Sequence, residues 1–129
     1  MTRNRVRQFL LCCVASVFII EAVIALINPE SGMTRVGYIV SSPDALNEYR
    51  AVYLGMFGVL GIATLYAARH VTEPLLADVI CLAILGEAVA RVIGIALDGV
   101  PSTIHFVNIV AESTPIVILL IRPTKNGPT

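Results

Sequence analysis

Three stretches of this chain set charged and polar side chains at helical spacing, where acid–base chemistry or head-group recognition would need them. Glu87 and Arg91 are four residues apart, and Asp98 extends their stripe. His105, Asn108 and Glu112 fall on one face at i, i+3 and i+7, and Arg50, Tyr53 and Phe57 repeat that spacing. Glu21 is the one charge between Phe9 and Ile27, and Glu48 stands just ahead of Arg50. Carboxyls held in unlike environments are what general acid–base catalysis uses, so Glu21, Glu87 and Glu112 are candidate catalytic groups. Arg50 and Arg91 are suited to an anionic or carbonyl head group, with Tyr53, Glu48, Asp98, Asn108 and His105 completing a candidate ligand-binding rim. No second histidine shares these faces, so a histidine metal site is not expected, a carboxylate site stays open, and no cofactor is indicated.

The elements that must carry these residues are spans. With 57% apolar residues, 14% charged residues and a mean hydropathy of +0.84, water is the wrong solvent for most of the chain. Net charge is +0, with no basic excess to attract a phosphate backbone, so nucleic acid is not an expected partner. Four apolar runs, at about 9–27, 48–68, 74–97 and 104–121, each approach the length needed to cross about 30 Å of hydrocarbon. They are bounded by Asn28-Pro29, Ser42-Pro43-Asp44, Asp98-Gly99-Val100-Pro101 and Arg122-Pro123. Only Arg69 to Glu73 separate the second and third runs, which therefore form an antiparallel hairpin. The reading is an all-α, integral membrane four-helix bundle of antiparallel up-down topology, one domain over residues 1–129. A signal peptide is the competing account of the first run, with Arg3, Arg5 and Arg7 ahead of it and Val23-Ile24-Ala25 as a cleavage site.

Arg3, Arg5, Arg7, Arg69, Arg122 and Lys125 fall on one side of this topology and Arg35 on the other, which places both termini in the cytoplasm. Asn28 to Asn47 is then an outer loop whose Val36-Gly37-Tyr38-Ile39-Val40 stretch lies back against the membrane surface. Apart from Asp78 near the inner end, the ionisable residues of the spans occupy the outer half, above an inner half of Leu, Val, Ile, Ala and Cys. A lipid-facing charge at a helix centre costs about 2.5 to 3.5 kcal/mol, so the polar stripes turn inward. Glu87 is expected to pair with Arg91, and Arg50 with Glu21 or Glu112. That leaves one carboxyl protonated, for which Glu112, deepest and farthest from an arginine, is the candidate.

Gly86, Ala90 and Gly94 make a small-residue stripe suited to packing inside the bundle, with homo-oligomerisation as the alternative. Pro115 is expected to kink the fourth span and to free a carbonyl near Glu112. Cys12, Cys13 and Cys81 read as small core hydrophobes.

Asn47-Glu48-Tyr49-Arg50-Ala51-Val52-Tyr53-Leu54-Gly55, together with Arg91 and Asp98-Gly99-Val100-Pro101, resembles a family of small bacterial four-span membrane proteins catalogued as domain of unknown function 4345. The resemblance runs from about Glu21 to the end of the fourth span. It implies that Glu48, Arg50, Tyr53, Gly55, Arg91, Asp98, Gly99, Pro101 and Glu112 are shared positions, in a multi-pass protein of the bacterial inner membrane. Leu54 precedes a lone Gly55 where the family pattern has two glycines. The residues point to an outward-facing intramembrane cavity that binds a membrane lipid or a lipid-like or isoprenoid-like small molecule. An intramembrane isomerase, cyclase or epoxide-opening enzyme is the alternative, and an accessory subunit or transporter component the third.

Overall fold

The computed structural model describes residues 2–39 and 42–124, and among these it is helical without strands. Four helices are long and apolar enough to cross a membrane: α1 (Arg3–Ile27), α3 (Pro43–Arg69), α4 (Pro74–Asp98) and α5 (Thr103–Leu120), with a short α2 (Pro29–Arg35) between the first two. At about 1.5 Å per residue, the 25 residues of α1 and the 27 of α3 exceed the hydrocarbon thickness. Both start earlier than their apolar runs. Thr2 caps α1 through Arg5 N, and Ser42 caps α3 through Ala45 N at 3.2 Å with Pro43 in the first turn. A cap fixes where a helix begins, whereas hydropathy marks only the part that lipid solvates.

The polarity of the surface is reversed relative to a soluble bundle. Ile20, Val59, Ile62, Leu75, Leu82 and Val110 face outward, a surface that hydrocarbon solvates and water does not. The core is small-chained and runs in three patches: Leu11, Ala67, Ala77, Cys81 and Ile118 at the end bearing the termini, Phe18, Ile80 and Ile84 in the middle, and Ala25, Met33 and Tyr49 beneath α2. α1 contributes a residue to every patch: Leu11, Phe18 and Ala25. Cys81 is buried as expected, but Cys13 is exposed.

Close approach of α1 and α3 depends on Gly61, where a Cβ would sit 2.8 Å from Ile19 Cγ1 and 3.4 Å from the Ile19 nitrogen. The Gly86, Ala90 and Gly94 stripe does not serve that purpose. All three are at least partly exposed, and a Cβ on Gly86 or Gly94 would meet nothing within 4 Å, which corrects the expectation that they pack inside the bundle.

Two irregularities reshape the sequence-based picture. Ala51–Met56 form a π-helical turn inside α3. Its wider turn swings residues three apart farther from one another while keeping i and i+4 aligned. The face that results is Tyr49, Tyr53 and Phe57, with ring centroids 4.3 and 4.9 Å apart, and not the expected Arg50, Tyr53 and Phe57. In α5 the helix breaks at Thr114 ahead of Pro115, because proline has no N–H for the Ala111 carbonyl. Contrary to the expectation, that carbonyl is not freed: Thr114 Oγ1 donates to it at 2.7 Å.

The segment anticipated as an outer loop contains α2, capped by Asn28 and closed by Gly37 at φ +84°. Gly37 N reaches Thr34 O at 3.1 Å and Tyr38 N reaches Met33 O at 2.9 Å, a terminating motif that requires the left-handed conformation glycine adopts without strain. Tyr38 and Ile39 are exposed, and Val40 lies outside the described residues.

Candidate functional site

α1, α3, α4 and α5 enclose a cavity of about 320 Å³, roofed by Arg35 and Val36 where α2 ends. Six of the ten residues singled out from spacing line it: Glu21, Tyr53, Glu87, Arg91, Asn108 and Glu112. The remaining wall is Val14, Val17, Phe18, Phe57, Ile84 and Ile104, with Cys13 and Pro115 at the end away from α2. Polar groups and apolar walls therefore share one space.

Its electrostatics rest on two ion pairs, neither of them anticipated. Arg91 Nε donates to both carboxylate oxygens of Glu112, at 2.9 and 2.8 Å, with side-chain exposures of 29% and 14%. The expectation that Glu112 lacks an arginine is thereby overturned, because Arg91 reaches across from α4 to α5 instead of along α4 to Glu87. Arg91 Nη1 also lies 3.1 Å from His105 Nδ1. On the opposite side Arg35 pairs with Glu21, a contact made available only because α2 folds its last residue back over α1. The carboxyl left over is Glu87, which makes no hydrogen bond or ion pair among the described residues.

Arg50 and Glu48 do not join the cavity. Both are exposed, and Arg50 pairs with neither Glu21 nor Glu112, as the π turn rotates it off the Tyr53 face. The proposed clamp of Arg50 and Arg91 on an anionic head group therefore fails: one arginine is elsewhere and the other is matched by Glu112. Asp98 and His105 line a shallower depression with Arg91, Gly94, Gly99 and Pro101. No cluster of three or more metal-ligating side chains occurs among the described residues.

The mouth is lateral. Cys13 and Val17 on α1, and Ala111 and Thr114 on α5, line the cavity and are also exposed. Below this seam the same two helices are tied together. Arg7, at 0% exposure, donates to Ile118 O at 2.5 Å, to Ile121 O at 3.0 Å and to Asp78 at 2.6 Å, while Arg122 takes the other Asp78 oxygen. Asn4 adds bonds to the Thr124 backbone at 3.2 and 3.0 Å. Sequence reasoning counted Arg7 only among the charges that set the topology and placed Asp78 only near the inner end. The available signal was that α5 ends in an apolar run with no polar residue to satisfy its last carbonyls.

The model of a family described as a domain of unknown function (DUF4345) matches residues 6–122. Neither a curated protein nor a solved structure matches the chain.

Proposed function

The chain belongs to this family of unknown function, and from that premise we propose that it is a multi-pass protein of the bacterial cytoplasmic membrane that holds an amphipathic, lipid-like or isoprenoid-like small molecule in the α1–α3–α4–α5 cavity. The observation that carries this reading is a single space combining an ion-paired polar region with an apolar wall and a mouth open along a lipid-facing seam. Ligand sites typically have apolar walls and a few placed polar groups. A lateral mouth fits a ligand that arrives within the bilayer, since its tail need not pass through water. Arg3, Arg5, Arg69 and Arg122 are exposed at the end that carries both termini, which supports a cytoplasmic position for that end; Lys125 lies outside the described residues.

The intramembrane enzyme reading draws on one observation, that Glu87 and Glu112 share the cavity in unlike surroundings, one unpaired and the other held by Arg91. Holding a substrate would be its first step, so binding is the more economical conclusion.

Protein purified in a mild detergent and examined by native mass spectrometry is expected to carry a lipid-like adduct. Ala111→Trp, which fills the mouth from α5, should lower adduct occupancy at least about tenfold, and Val17→Trp should do the same from α1. Undiminished adduct in both variants would place the bound molecule on the outer surface and remove this reading.

A further inference from the structure

The walls of the cavity carry three carboxyl and two guanidinium groups that pair unequally. Glu21 is matched by Arg35 and Glu112 by Arg91, which leaves Glu87 as a carboxyl without a partner among the described residues. Arg91, one helical turn away, attracts Glu87 but shares its charge with Glu112, to which its Nε donates, and its Nη1 faces His105, so the cavity holds three carboxyls against two guanidiniums. An uncompensated carboxylate in an apolar wall is costly until a cation or a proton joins it.

A second feature of the same space points to a cation independently. Tyr53, Phe57 and Phe18 line the cavity as a continuous aromatic run, with Phe18 and Phe57 5.0 Å apart edge-to-face and Tyr53 and Phe57 4.9 Å apart. Aromatic faces attract ammonium groups, and more strongly where water is excluded. Tyr53 and Asn108 also line the cavity, make no side-chain hydrogen bond among the described residues, and carry oxygens of a kind that accept from an ammonium.

We propose that the molecule held in this cavity bears a cationic ammonium head, seated between the Glu87 carboxylate and the Tyr53 and Phe57 rings, with its apolar tail running toward Cys13 and Pro115. This rests on the binding reading above and adds the sign of the head group. One positive charge completes the balance of the cavity, whereas an anionic head would place a second unmatched negative charge beside Glu87.

Twelve-carbon probes that differ only in the head group test it: dodecylammonium, dodecanol and dodecanoate, titrated calorimetrically into the full chain in a neutral maltoside detergent. Dodecylammonium is expected to bind at least about tenfold tighter than either of the others, and Glu87→Gln should narrow that margin to about twofold or less. Equal binding of all three probes would overturn the head-group assignment and leave the cavity reading intact. Tighter binding of dodecanoate, or a margin that survives Glu87→Gln, would overturn it as well. Binding of none would remove both. Should Glu87→Gln not fold, the ranking on the wild-type chain decides alone.

Discussion

Arg7→Leu is expected to lose about 3–5 kcal/mol of stability, in line with removing one partner of a buried ion pair. The guanidinium is fully buried and serves three acceptors: Asp78 on α4 and the Ile118 and Ile121 carbonyls at the end of α5. Those carbonyls belong to the last turn of a helix and have no donors of their own. A cation there also suits the negative end of the helix dipole. Leucine would fill some of the space but leave the carbonyls and half of the Asp78 carboxylate without a donor. Arg5→Leu is the control, being exposed two residues away, and should change stability by about 0.5 kcal/mol or less. Unfolding in mixed detergent micelles measures both. Equal stability of Arg7→Leu and the wild type would mean that this clamp does not hold α1 against α5.

The second large effect concerns Arg91 and Glu112. Truncating Arg91 to leucine leaves Glu112 and Glu87 as two carboxyls on facing helices with no cation between them. Replacing Glu112 with leucine instead leaves a cation flanked by Glu87. Each single change should cost about 2–4 kcal/mol, and the double change clearly less than their sum, because an empty pair costs less than a stranded charge. The double-mutant cycle is expected to give a coupling of about 2 kcal/mol. Additivity within about 0.5 kcal/mol would show that the two side chains do not meet in the bilayer.

Four spans were legible because length and hydropathy suffice to state where water is excluded; of the charges expected to converge, Glu21, Glu87, Arg91 and Glu112 line one cavity and Arg50 does not. Partner choice was not legible. Glu87 and Arg91 sit correctly for an i, i+4 pair, yet Arg91 joins Glu112, because a long side chain on one helix can reach the next and periodicity describes one helix at a time. Arg50 misled for a related reason. Its spacing to Tyr53 assumes 3.6 residues per turn, and the π turn at Ala51–Met56 changes that spacing without any glycine or proline pattern that marks it beforehand. Arg35 was counted only as a loop charge, because Asn28-Pro29 was read as the end of the first span and not also as the cap and first turn of α2. Thr114 shows how a neighbour can cancel a proline's effect, as its hydroxyl satisfies the carbonyl that Pro115 abandons. These misses concern three-dimensional neighbours, which composition and period do not encode.

The central claim is that the apolar part of the cavity receives the tail of a membrane-borne molecule. Diffraction from crystals grown with an amphiphile brominated at the end of a twelve-carbon chain tests it directly, because the anomalous signal locates the tail itself. The account predicts a bromine peak inside the walls formed by Phe18, Ile84 and Pro115. Bromine found only along the outer faces of the helices, with that space empty, would contradict it.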